Sequence, residues 1–76
     1  MADQVLDVKG LNCPLPILRA KKALKDMPTG ATLQVLATDP GAVKDFEAFS
    51  RSTGHELMEW SQTDGIYRFL LKKKAG

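Results

Sequence analysis

The chain contains one cysteine and one histidine among its 76 residues. A single thiol cannot close an internal disulfide, and one cysteine with one histidine falls short of the four ligands of a structural zinc site. There is no glycine-rich phosphate loop, no Ser-His-Asp set and no dinucleotide motif. No apolar run approaches the roughly 20 residues needed to cross a bilayer. The start, Met1-Ala2-Asp3-Gln4, lacks the basic and apolar regions of a signal peptide. These absences fit a reducing cytoplasm and no membrane partner. Repeats, low-complexity tracts and linkers are also missing, so residues 1–76 are expected to form one domain. A net charge of +2 is too small to imply a nucleic-acid partner by itself.

What remains is an ordinary globular composition, 43% hydrophobic and 26% charged. A chain this short buries only about 60–65% of its unfolded surface, so the core is small. Val5 to Val8 reads as a short strand with Leu6 and Val8 on one face. Gly10 to Asn12 turns out of it, and a helix is expected from about Pro14 to Met27. Ile17, Ala20, Leu24 and Met27 form its buried stripe, and Pro28-Thr29-Gly30 stops it. Thr32 to Thr38 is the clearest strand, with Leu33, Val35 and Ala37 inward. A second helix follows, with Asp39 as N-cap, Pro40 as first residue, Val43, Phe46 and Phe49 or Ser50 inward, and Gly54 as its stop. Glu56 to Gln62 and Ile66 to Lys72 read as strands joined at Asp64-Gly65, a dipeptide suited to a type I′ hairpin turn. Lys72-Lys73-Lys74 reads as a frayed tail. The order β-α-β-α-β-β predicts an α+β fold, a two-layer sandwich with a mixed four-stranded sheet.

Cys13 lies in Gly10-Leu11-Asn12-Cys13-Pro14-Leu15-Pro16, where the first helix begins. An unperturbed thiol is only about 3% ionised at neutral pH. Three features favour the thiolate. A helix dipole facing an N-cap sulfur contributes about 0.3–1 kcal/mol. The N–H groups of Leu15 and Ile17 can donate to it. Lys9, Arg19, Lys21, Lys22 and Lys25 fall in a stretch without acids, whose plain alternative is a solvated basic helix face. Pro14 and Pro16 stiffen the turn, beyond their ordinary use in starting a helix. Spacing alone leaves two readings open: a reactive thiol that picks up a group and hands it on, or an inert buried one.

The other candidates carry less. His55 reads as a surface or edge histidine rather than a base or ligand. Trp60, Tyr67 and Phe69 read as sheet-face packing, with a docking patch as the alternative. Asp39 is a helix cap, unless the two helix starts lie at the same end of the sheet and bring it to Cys13.

At Cys13-Pro14-Leu15-Pro16 the sequence resembles the TusA/SirA-like sulfur-carrier family, marked by a Cys-Pro-x-Pro motif at the start of its first helix. Leu6-Asp7, Gly10-Leu11, Gly30, Thr38-Asp39-Pro40 and Asp64-Gly65 extend the match over nearly the whole chain. The resemblance implies both helices on one face of the sheet. It implies that Cys13 carries sulfane sulfur as a persulfide, in a relay rather than as a stand-alone turnover enzyme. A cysteine desulfurase or rhodanese-like protein would load it, and an acceptor of the DsrE or TusBCD type would receive the sulfur. Some such relays serve tRNA thiolation and others sulfur oxidation. Members of the tRNA-thiolation type often carry an acid between the two prolines. Leu15 departs from that and points toward a sulfur-oxidation acceptor. Persulfide exchange needs only two sulfur centres, so no cofactor or metal is expected. Docking is expected through Arg19, Lys21 and Lys22. The competing reading is a small RNA- or DNA-binding module using the basic helix and the Lys72-Lys73-Lys74 tail, with no direct nucleic-acid contact expected of a carrier. A redox-sensing thiol is a third.

Overall fold

The computed structural model describes residues 3–74. Its elements are β1 (Gln4–Asp7), α1 (Leu15–Lys25), β2 (Thr32–Ala37), α2 (Ala42–Thr53), β3 (Glu56–Thr63) and β4 (Ile66–Lys72). The sheet order is β1-β2-β4-β3. β1 runs parallel to β2, while β4 is antiparallel to both β2 and β3. This is the expected mixed sheet.

Alternation along β2 decides which face is covered. Leu33, Val35 and Ala37 are fully buried and lie opposite Leu71, Phe69 and Tyr67 of β4. The intervening Gln34 and Leu36, opposite Leu70 and Arg68, point to the other face, as the period of two requires. Both helices pack on the Leu33–Val35–Ala37 side. In α1 the buried positions are Pro16, Ala20 and Leu24, spaced four apart and hence stacked on one side of a 3.6-residue turn. Ile17 is half-buried beside this stripe, and Met27 is buried just past the helix end. In α2 the buried positions are Ala42, Phe46 and Phe49. The Phe46 ring stacks on Phe69 at 4.6 Å and meets Phe49 edge-on at 6.2 Å. Such pairs add about 0.5–1.5 kcal/mol beyond the area they bury. No polar side chain is buried among the described residues, so the core needs no internal polar network.

The β3–β4 hairpin turns at Asp64 and Gly65, whose φ angles of 53° and 78° are the positive pair a type I′ turn requires. α2 ends at Gly54, whose N–H donates to the Ser50 carbonyl at 2.9 Å. A bulge between Leu57 and Glu59 shifts the β3 register and leaves Met58 exposed.

Three local expectations need correction. The N-cap of α1 is Pro14 and that of α2 is Gly41, rather than Cys13 and Asp39. Asp39 still starts the turn into α2, because its carbonyl accepts from the Ala42 N–H at 3.0 Å. The lysine tail is not frayed over its described length. Lys73 exchanges backbone hydrogen bonds with Ala31 (2.8 Å) and Gly30 (3.1 Å), and its ammonium donates to the Leu24 carbonyl. The Lys74 N–H donates to His55 Nδ1 at 3.0 Å. Among the described residues no helix is long and apolar enough to cross a membrane.

Candidate functional site

β1 and β2 are parallel neighbours, and each leads into a helix on the same face of the sheet. Their outgoing loops therefore meet at one end of the molecule. Gly10 turns the first loop with a φ of +84°, a conformation a side chain at Cβ would strain. Its N–H donates to Thr38 Oγ1 at 2.9 Å, which ties it to the second loop. Farther on, the Cys13 N–H donates to Asp39 Oδ2 at 2.9 Å. The other oxygen, Asp39 Oδ1, accepts from the Gly41 N–H at 3.0 Å. One carboxylate thus bridges the cysteine loop and the start of α2. The helix starts do lie at the same end, and Asp39 is at the Cys13 site as well as in the turn into α2.

Cys13 is a free, exposed thiol, which removes the inert buried reading. The Cys13–Pro14 peptide is cis. The Leu15 N–H donates to the Asn12 carbonyl at 2.9 Å, and the Leu18 N–H to the Pro14 carbonyl at 3.1 Å. Leu15 is therefore not a donor to the sulfur. The prolines divide their roles: Pro14 is exposed, and Pro16 is buried among the core residues. Between and beyond them Leu15 and Leu18 are 43% and 53% exposed, an apolar rim beside the thiol.

The electrostatics differ from the expected electropositive cradle. The Cys13 thiol is pushed above its usual range. The largest cause is the hydrogen bond that only the protonated thiol can offer Asp45; some loss of hydration and the negative charges of Asp45 and Asp39 follow. Asp45 stands in the first turn of α2. The acid-free stretch around Cys13 is real in sequence, but folding carries two acids from the second half of the chain to the sulfur. Asp45 was missed because its neighbourhood is set by the sheet order. The only sequence signal was a helix start following a strand, in the same way as the cysteine loop follows the first strand.

Arg19, Lys21 and Lys22 are all exposed. Lys21 and Lys22 line a shallow groove with Leu18, Lys25, His55 and Lys73; Arg19 does not. His55 is half-buried against Phe49, with ring centroids 5.8 Å apart. Its pKa is lowered, first by burial and then by the charges of Lys73 and Lys74. Trp60, Tyr67 and Phe69 form a triangular cluster with centroid spacings of 6.3 to 6.5 Å, Phe69 stacked on each of the other two. Phe69 belongs to the core and the Trp60 edge is open to solvent. Among the described residues no group of three or more His, Cys, Asp or Glu is arranged to hold a metal ion.

Residues 4–73 match the family described as sulfurtransferase TusA. The chain is 62% identical over 71 residues to the sulfur carrier protein TusA of Allochromatium vinosum, covering 93% of each. It is 40% identical over 73 residues to the protein of the same name from Pseudomonas paraeruginosa, covering 96% of this chain and 92% of that one. Among solved structures it is similar to a SirA-like protein from Desulfitobacterium hafniense. The TM-score is 0.83 at 24% identity, covering 95% of this chain and 99% of that one, and this supports the fold. The two-layer arrangement, the cysteine loop at the meeting of two helix starts and the extent of these matches agree: the chain belongs to the sulfurtransferase TusA family.

Proposed function

We propose that this protein carries sulfane sulfur on Cys13 as a persulfide between a donor and an acceptor protein. The observation that carries this reading is a single exposed thiol, held on an anchored loop, in a chain of the sulfurtransferase TusA family. In loading, the Cys13 thiolate attacks the outer sulfur of a donor persulfide. The donor S–S bond breaks, a new S–S bond forms at Cys13 Sγ, and the donor leaves as thiolate and takes up a proton. Delivery is the same exchange, with an acceptor thiolate attacking and Cys13 leaving. No electrons are gained or lost overall. The chain offers no second thiol to attack the stored sulfur.

Asp45 and Asp39 give this relay a resting state. By favouring the protonated thiol they reduce attack by the unloaded carrier. A thiol of raised pKa is also a poorer leaving group, so the loaded carrier holds its sulfur longer. A partner that places a positive group against the two carboxylates reverses both effects. The donor we assign is a cysteine desulfurase or rhodanese-like protein, and the acceptor one of the DsrE or TusBCD type. The exposed Leu15 favours a sulfur-oxidation acceptor over one in tRNA thiolation. A free exposed thiol suits the cytoplasm. The nucleic-acid reading is weakened, because the lysine tail it needs is tied to the fold through Lys73 and Lys74.

Incubation with a cysteine desulfurase and cysteine, followed by intact mass measurement, tests the proposal. A gain of one sulfur atom that disappears in Cys13→Ser, with the variant still folded, is the expected result. No gain with desulfurase, rhodanese-like donor or inorganic polysulfide overturns it.

A further inference from the structure

Persulfide exchange at Cys13 makes no use of the groove beside α1. Lys21, Lys22 and Lys25 of α1 converge there with Lys73, around Leu18 and His55. The single ion pair among the described residues is Lys9 with Asp7, so none of these four ammonium groups has a carboxylate within salt-bridge distance there. Two of the polar groups are held in place. Lys73 is fixed by its backbone bonds to Gly30 and Ala31 and by its ammonium on the Leu24 carbonyl. His55 accepts the Lys74 N–H at Nδ1, which leaves the proton of the neutral ring on Nε2 as a donor. The side-chain polar groups lining the groove can thus all donate, and a ligand there must be rich in acceptors.

We propose that this groove is a docking surface for an acidic segment of a partner protein. Carboxylates would face Lys21, Lys22, Lys25 and Lys73, and an apolar side chain would rest on Leu18. The inference rests on the relay reading in taking the partner to be the donor or acceptor of sulfur. Three observations favour a protein segment over a nucleic acid. The groove has no Phe, Tyr or Trp side chain on which a base could stack, and its one ring, His55, already lies against Phe49. Leu18 and Leu15, both exposed, continue from it toward Cys13. At the Cys13 end Asp39 and Asp45 would repel a phosphate backbone but not a protein carrying charges of both signs. Lys21, Lys22 and Lys25 lie within about 20 Å of Cys13 along a helix rising 1.5 Å per residue, so a partner engaged with the thiol reaches them.

The test is an NMR titration of the whole protein with a synthetic peptide alternating glutamate pairs and leucine, and separately with a single-stranded RNA oligonucleotide. The peptide is expected to shift the amides of Leu18, Lys21, Lys22, Lys25, His55 and Lys73 saturably and to lose affinity as salt is raised. The triple variant Lys21→Glu/Lys22→Glu/Lys25→Glu should weaken it about tenfold or more, as like charges meet. Arg19→Glu, on the same helix but outside the groove, should not. Absence of these shifts, equal loss in both variants, or tighter RNA binding at the same residues overturns the proposal. Loading of Cys13 by inorganic polysulfide separates the two readings. It should be unchanged in the triple variant, and its failure in the parent would sink the relay while leaving peptide binding to stand or fall by itself.

Discussion

Alanine at Asp39 breaks the bridge between the cysteine loop and α2 with one small change. The Cys13 N–H and the Gly41 N–H both lose their carboxylate acceptor. Each contact is a charge-assisted bond at an exposed position, where water replaces the lost acceptor. The combined cost is therefore close to that of losing a good helix cap, about 1–2 kcal/mol. For a domain of this size each kcal/mol moves Tm by about 4–8 °C, so Asp39→Ala should melt roughly 5–15 °C lower. Asp39→Asn keeps one acceptor oxygen and should lose about half as much. Thermal unfolding followed by circular dichroism gives the global number, and amide hydrogen exchange at Cys13 gives the local one. Faster exchange at Cys13 should accompany the drop in Tm. The thiol itself should alkylate faster at neutral pH, because a nearby negative charge has gone. A Tm within about 2 °C of the parent, well under the effect of 1 kcal/mol, together with unchanged exchange at Cys13, would show that the bridge holds nothing.

Other perturbations address separate parts of the molecule. Asp45→Asn removes the largest influence keeping the thiol protonated, so its alkylation rate should rise with pH at a lower pH than in the parent; coincident profiles would rule out control by Asp45. Phe46→Ala opens a cavity under α2 where the ring stacks on Phe69. Its expected cost, about 3–5 kcal/mol, is a large share of the roughly 4–11 kcal/mol total for 76 residues. Urea titration should show a much lower midpoint or no folded state, and a loss under about 1 kcal/mol would mean the site collapses around the gap. His55 has a folded pKa below its unfolded one, so its contribution is present above the unfolded value near 6.5 and fades as pH falls through the folded value. Stability should decline between about pH 7 and pH 5. The decline should be shallower in His55→Gln, and parallel curves would exclude the histidine as its source.

Elements defined by their own periodicity were legible in the sequence. β2 alternates without interruption, the Ala20–Leu24–Met27 stripe has helical spacing, and Asp64-Gly65 permits little but a tight turn. Each is decided by contacts within a few residues or by the simple division between inside and outside. The helix starts were misplaced by one or two residues, because Pro14 and Gly41 take the cap positions without any capping side chain. The tail was misread because the partners of Lys73 are Gly30, Ala31 and Leu24, remote in sequence. The charge at the thiol failed for the same reason. Counting acids along the chain near Cys13 says nothing of α2, which the parallel pairing of β1 with β2 sets beside it. Exposure of the sulfur was also left open, because spacing alone fits a buried thiol as well, and only the packed structure shows it exposed.

Both helices cover one face of the sheet, and among the described residues no element covers the opposite face. Val5, Gln34, Leu36, Arg68 and Leu70 stand there in open or half-open positions, across the sheet from the helices and clear of the lysine channel. A fluorophore, spin label or immobilising linker attached through Gln34 would report on traffic at the thiol without standing in its way. The molecule has, in effect, a handle built opposite its working end.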